Sequence, residues 1–242
     1  MSIFSGVTLS GVTVSPPSLS FTKTADADVD ISIKLSLPAG HEITVSWGDN
    51  NWTTITGAVS ETAYAHTYAS AAETYQISIV GDVTAITYFK IEEDPLSCDL
   101  AQFSRLATLT HLFLYNDTIT GDLANLPSGL TYFTCAGSNT ISGDLTNLPS
   151  GLTYFTCAGS NTISDYSGKT WTTKPTTFNL QPVSGGLSTT EMDQLLIDFD
   201  DDLLWAAGNA ITLTGTNDKR SSDSDAAKAS ILGEGADVTV NE

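Results

Sequence analysis

Basic side chains are scarce in this chain. Its 242 residues include 9 Lys and Arg against 28 Asp and Glu, a formal charge of −19. Nucleic-acid backbones are gripped by clustered cations that release counterions, so nucleic acid is excluded as a partner, and an anionic membrane surface is disfavoured on the same ground. Long apolar runs are absent as well. No segment approaches the roughly 18 apolar residues of a membrane span, and no membrane insertion is expected. Cysteine is limited to Cys98, Cys135 and Cys157. Three are too few and too oddly numbered for a disulfide framework, and no CxxC pair suggests a zinc site, so free thiols and no metal are expected. The first basic residue is Lys23, and MSIFSGVTLSGVTV has no charged n-region, so no secretory signal is read and folding in a reducing cytosol is expected.

Catalytic equipment is equally thin. The three histidines fall in a loop (His41), in a motif of structural character (His66) and at an exposed strand position (His111). No GxSxG elbow, phosphate-cradling GxxxxGK or HExxH occurs. The sequence therefore assigns no catalytic residue and no cofactor, and the chain reads as non-enzymatic.

What is present is a repeat. Gly121 to Ser142 reads GDLANLPSGLTYFTCAGSNTIS and Gly143 to Ser164 reads GDLTNLPSGLTYFTCAGSNTIS, differing only at Ala124 against Thr146. Self-similarity at 22 residues marks successive coils of a solenoid. Each coil alone buries too little, and stacking coils in a parallel sheet closes a continuous core. Within one coil, Leu130, Phe133, Cys135, Asn139 and Ile141 follow the order LxxLxLxxNxL with one extra residue before the Asn. This resembles the leucine-rich repeat family in its short bacterial style. Weaker copies extend it to Ile86, Phe89 and Ile91, to Leu109, Leu112 and Leu114, and to Phe178 and Leu180. The array is expected over residues 83–186, with Asn116, Asn139 and Asn161 turned inward as a hydrogen-bonded ladder.

Strand alternation sorts the faces. Phe133, Cys135, Phe155 and Cys157 point inward. Tyr88, His111, Tyr132 and Tyr154 fall in one outward row, with Phe113 and Tyr115 beside it, and these six form the candidate ligand-binding surface. High β-propensity alone would also account for them. Asp99, Asp122 and Asp144 recur once per coil; Asx-type turns are preferred to a shared cation. Asp198, Asp200, Asp201 and Asp202 lack the pattern of a calcium loop and read as a solvated face, with calcium as the alternative.

After Gly186 the pattern changes. Ser188 to Glu191 is a capping box opening a helix, Ala210 to Thr214 alternates as a strand, Ser222 to Leu232 reads as a second helix and Asp237 to Val240 as a last strand. Residues 187–242 are thus a helix–strand–helix–strand cap. Residues 26–82 alternate as the strands of a β-sandwich, over Val29 to Leu37, Ile43 to Trp47 and Tyr75 to Val80, after Val7 to Val14 and Ser18 to Thr22. Trp47-Gly48-Asp49-Asn50 and His66-Thr67-Tyr68 resemble the WGDG and HTY marks of the PKD-type immunoglobulin-like domain, with Asn50 in place of a glycine. That resemblance implies a spacer without chemistry. Residues 1–25 are a separate strand pair and a docking segment in prospect.

The fold class is accordingly mainly β, an N-terminal immunoglobulin-like sandwich followed by a short leucine-rich-repeat solenoid and an α/β cap. The combination is similar to PKD plus leucine-rich repeat proteins among tailed-phage structural and fibre proteins. It implies a virion surface protein made in the host cytoplasm, a head or tail fibre or decoration protein. Its partners would be another virion protein through the N-terminal region, and a host-surface glycan or protein through the solenoid. The alternatives are a bacterial cell-surface or secreted adhesin and a carbohydrate-binding accessory module.

Overall fold

The computed structural model describes residues 8–9, 12–13, 18–24, 30–70, 73–91, 96–115, 118–137, 139–159 and 161–242. Asn116 and most of the N-terminal docking segment lie outside them. The fold is mainly β, built on two large mixed sheets without a closed barrel. The eight-stranded sheet runs in the order Thr162–Asp165, Thr140–Asp144, Thr118–Asp122, Leu96–Asp99, Ser18–Lys23, Tyr75–Gly81, Glu42–Ser46, Trp52–Thr56. The nine-stranded sheet runs Asp237–Val240, Ala210–Leu213, Thr177–Pro182, Tyr154–Gly159, Tyr132–Ala136, His111–Tyr115, Tyr88–Ile91, Asp30–Leu37, Val59–Thr67.

Each sheet is antiparallel at its amino-terminal end and parallel beyond it. Ser18–Lys23 pairs antiparallel with Leu96–Asp99, and Asp30–Leu37 pairs antiparallel with Tyr88–Ile91. From those two strands onward every pairing is parallel. The amino-terminal layers and the repeat therefore share both sheets, and their buried side chains form one apolar cluster from Leu19 to Ala236. Phe21 of one sheet stacks on Phe89 of the other at 5.6 Å, with Phe103 against both, so the two sheets face each other across this core.

Six strands escaped the sequence reading: the second parallel set Leu96–Asp99, Thr118–Asp122, Thr140–Asp144 and Thr162–Asp165, and two at sheet edges. Trp52–Thr56 and the nine-residue Val59–Thr67 are the outermost strands of the two sheets. An edge strand packs little against the core, so its Thr, Ala and Ser residues carry no clean apolar alternation. The 7–14 segment contributes only the short antiparallel pair Thr8–Leu9 and Val12–Thr13 among the described residues.

Each central coil makes a strand in the nine-stranded sheet, turns a corner, makes a strand in the eight-stranded sheet and returns through a 3₁₀ turn. Phe133, Cys135, Ile141 and Leu145 are fully buried, as are Phe155, Cys157 and Ile163 one coil later. At the corner Asn139 is fully buried. Its Oδ1 accepts from the Ile119 N–H at 2.9 Å while its Nδ2 donates to the carbonyls of Leu114 at 3.1 Å and Ala136 at 3.2 Å. Asn161 repeats this with the Ile141 N–H at 3.1 Å and the Ala158 carbonyl at 3.0 Å. A further rung was missed in the sequence. Asn217 accepts from the Leu187 N–H at 2.9 Å and donates to the carbonyls of Leu180 and Thr214. It stands four residues after the inward Leu213, as Asn139 stands four after Cys135.

A second ladder is made of threonine. The Thr110, Thr131, Thr153 and Thr176 hydroxyls each donate to the carbonyl of the matching threonine one coil earlier, beginning at Thr87, at 2.9 to 3.1 Å. The same carbonyls accept the threonine N–H groups. Every coil entry is thus fixed twice. Asp99, Asp122 and Asp144 each accept from the N–H two residues on at 2.8 Å, capping the 3₁₀ turns as the Asx reading expected. Burial opposes ionisation of Asp144, but hydrogen bonds from Thr146 and Ser167 outweigh it and hold the carboxyl below its usual range.

Beyond Pro182 the nine-stranded sheet gains two further parallel strands, while helices replace the opposite sheet. The Ser188 capping box is formed at both arms, and the helix Thr189–Asp202 buries Met192, Leu195, Leu196 and Phe199. Phe199 meets Phe178, Trp171 and Trp205 edge-on within 5.3 Å. The second helix, Asp225–Gly233, follows a 3₁₀ turn bound to Asp193, whose carboxylate accepts from the Ser221 N–H and from the Ser221 and Ser224 hydroxyls.

One expectation is overturned. Cys135 and Cys157 form a disulfide, and Cys98 is a thiol outside it. Two cysteines stacked in register on neighbouring parallel strands have Cα atoms 4.8 Å apart, inside the range that a disulfide spans, so no backbone movement is needed. Alkylation of denatured, unreduced protein is therefore expected to label one cysteine per chain, and labelling of all three would contradict the pairing. Asn217→Ala is expected to destabilise the protein by about 1 to 3 kcal/mol in denaturant unfolding, because it strands buried peptide groups; a surface residue would show almost no loss.

Candidate functional site

The six residues singled out as a surface do come together. Register places Tyr88 beside His111, His111 beside Tyr132, and Tyr132 beside Tyr154. The rings stack down the row at centroid distances of 5.8, 5.6 and 4.0 Å, the last pair within 4° of parallel. Phe113 bridges from the next row, 5.1 Å from Tyr88 and 4.7 Å from Tyr132, and Tyr115 lies 6.4 Å from Phe113.

The rings are less open than alternation alone implies. All six are half-buried, because neighbouring rings pack against one another. Thr134 is fully covered although it points outward. Burial, and then the hydrogen bond and proximity of the Tyr154 hydroxyl, push the Tyr132 phenol above the ordinary 10.0. Thr177 pairs with Tyr154 in register, so the ring row ends there with one face of Tyr154 turned toward a small side chain.

Lys90, in register with Phe113, stands at the Tyr88 end of this surface, and beyond it charge is withheld. The strands His111–Tyr115, Tyr132–Ala136, Tyr154–Gly159, Thr177–Pro182 and Ala210–Leu213 read HLFLY, YFTCA, YFTCAG, TFNLQP and AITL, with no Asp, Glu, Lys or Arg. In a chain of net charge −19 this leaves a five-strand face of aromatic rings, hydroxyls and amides. Sequence reasoning found the aromatic half and overlooked Asn179 and Gln181, the outward neighbours of Phe178 and Leu180 at the end of the array, and Thr212 in the strand assigned to the cap. Their signal was the same alternation, continued.

The other groups with chemical potential are engaged in holding the fold. His66 lies between Trp47, stacked at 5.1 Å, and Tyr68, edge-on at 4.7 Å, and its Nε2 is 2.8 Å from Asp49 Oδ2. Tyr68 donates its hydroxyl to the Trp47 carbonyl at 2.8 Å, tying the two motifs together. Asn50 holds φ 69, the left-handed conformation that asparagine tolerates better than most residues. His111 Nδ1 is 2.9 Å from the Thr110 hydroxyl, which also donates to the Thr87 carbonyl in the threonine ladder.

The acidic run is not simply a solvated face. Asp198 accepts from the Tyr166 hydroxyl at 2.5 Å and the Lys169 N–H at 3.2 Å, and Asp202 from the Trp171 N–H at 2.7 Å. With Glu191 on the Tyr166 N–H, these carboxylates strap residues 166–171 to the first helix. A cleft of about 660 Å³ lies between them. Lys169 spans its wall, half-buried, with its Nζ on the Leu148 carbonyl at 2.5 Å, and burial lowers its pKa. Among the described residues, no three His, Cys, Asp or Glu side chains are grouped to hold a metal ion, and no helix is long and apolar enough to cross a membrane.

No family model, curated protein or solved structure matches the chain. Since the folded-state phenol of Tyr132 is raised, the stability contributed by its neutral form is expected to be lost as pH climbs past 10.0. An absorbance titration of Tyr132→Phe should therefore overlay the wild type through the ordinary tyrosine range and lose amplitude only above it. Early loss would show an unperturbed phenol.

Proposed function

We propose that this chain is a non-enzymatic display protein, an immunoglobulin-like layer of the PKD type continued by a leucine-rich-repeat-like solenoid that offers its outer face to a host surface. The observation that carries this reading is the charge-free face of stacked rings, hydroxyls and amides on the nine-stranded sheet. Half-exposed aromatics with polar tips suit recognition of glycans or proteins, and an uncharged area on an acidic molecule is a place where a partner meets little repulsion. The interlocked Trp47, Asp49, His66 and Tyr68 support the PKD resemblance, and the Asn139 and Asn161 rungs support the repeat resemblance.

Its setting in this reading is the phage virion, as a head or tail fibre or decoration protein with the N-terminal region on the particle. A bacterial adhesin is the second reading, and the Cys135–Cys157 bond favours it, since disulfides persist mainly in oxidising compartments. Mass spectrometry of purified virions and of the cell envelope separates the two. The chain is expected in virions, and its presence in the envelope alone would transfer the assignment to the adhesin. Tyr132→Ala with Tyr154→Ala is expected to abolish attachment to host cells while the melting temperature stays close to that of the wild type. Retained attachment with lowered stability would reduce the ladder to packing.

A further inference from the structure

The ring row ends at Tyr154, and the end differs from the middle. One face of Tyr154 is covered by Tyr132 at 4.0 Å, while in the direction of Thr177 no further ring follows among the described residues. The strand beyond carries the two amides of the charge-free face. Thr156 pairs in register with Asn179, and Ala158 with Gln181. Gln181 Nε2 donates to Asn179 Oδ1 at 2.7 Å, which fixes both side chains and engages the Asn179 acceptor, leaving the Asn179 amide hydrogens and the Gln181 carbonyl for an outside partner. All four of Tyr154, Thr156, Asn179 and Gln181 are half-buried, open enough to touch a ligand and held enough to aim at one.

We propose that Tyr154, Thr156, Asn179 and Gln181 form a subsite for an uncharged sugar, the ring of Tyr154 taking the apolar face of the pyranose and the amide pair its hydroxyls. The argument rests on the display reading given above and narrows it to one ligand class. A sugar ring offers C–H groups on one side and paired donors and acceptors around its rim, and this site offers one aromatic face that no other ring covers beside one donor group and one acceptor. Charge decides the class. A sialylated, uronic or phosphate-bearing glycan would bring an anion to five strands that hold no cation, in a molecule whose overall field repels it. A basic peptide would find no carboxylate there. A neutral glycan loses nothing by the absence of both.

The probes are immobilised mannan, dextran and xyloglucan as neutral polysaccharides, with polygalacturonate and a sialylated glycoprotein as anionic ones, and binding is read by biolayer interferometry on the full chain. Binding to at least one neutral probe is expected. It should weaken by at least about tenfold in Tyr154→Ala and in the Asn179→Ala, Gln181→Ala pair, because each leaves a sugar group or a side chain without its partner. Tyr154→Phe, which keeps the ring, should bind nearly as the wild type does. Melting temperatures identify any variant that fails to fold, and Gln181→Glu serves as a second variant that keeps the size and adds the charge the face excludes; it too should lose the neutral probe. Binding to anionic probes alone, binding to no probe, or neutral binding indifferent to Asn179 and Gln181 overturns the subsite. If host-cell attachment still depends on Tyr132 and Tyr154 in that event, the display reading survives and only the sugar assignment falls.

Discussion

At each corner where the chain leaves one sheet for the other, its peptide groups turn away from both strand ladders and into an apolar interior. A buried N–H or carbonyl without a partner costs more there than a made hydrogen bond returns. Asn139, Asn161 and Asn217 answer this requirement, each accepting one N–H and donating to one or two carbonyls, and these three corners are satisfied in the same manner. Core packing needs that solution first. Phe133, Phe155 and Phe178 stand in register only when the corners between them turn alike.

The threonine row works on the opposite corner with a weaker group. One carbonyl accepts both the N–H and the hydroxyl of the threonine above it, so strand entry is fixed at the level where the outward face begins. That regularity sets the ring row. Side chains on successive strands stand at the same height, and rings at that separation settle face to face. The ring row of the nine-stranded sheet is thus a consequence of how the corners are bonded, and the lack of charge on the five strands from His111–Tyr115 to Ala210–Leu213 is what the sequence adds independently.

Much of this was legible without coordinates, and the reasons differ by region. The twin 22-residue segments made the inward and outward assignment of Phe133, Cys135 and Tyr132 a matter of parity, and the Ser188 and Glu191 pair announced its helix because capping is local chemistry. The two edge strands were illegible because alternation is the trace of burial, and an edge buries little. Asn217 was hidden by the helix that precedes its strand, which changes the spacing by which coils are recognised while leaving the corner intact. The roles of Asp198 and Asp202 depend on residues 166–171, about thirty positions away and without any pattern of their own. The cysteine pair was misjudged because a low, odd count of cysteines says nothing of two that stack in register on neighbouring strands.

The two sheets pass from antiparallel to parallel pairing without a break, and this governs how the molecule responds to being held. A linker between separate bodies would let one end swing while the other was fixed. Here main-chain bonds cross the junction in both layers, at Leu96 to Lys23 and at Phe89 to Leu35, with Phe21 and Phe89 clamped between. Bending at that point would have to tear two hydrogen-bonded seams and open a filled interior together. The amino-terminal layers thus act as the root of a stiff blade, and whatever grips the root dictates the heading of the far edge.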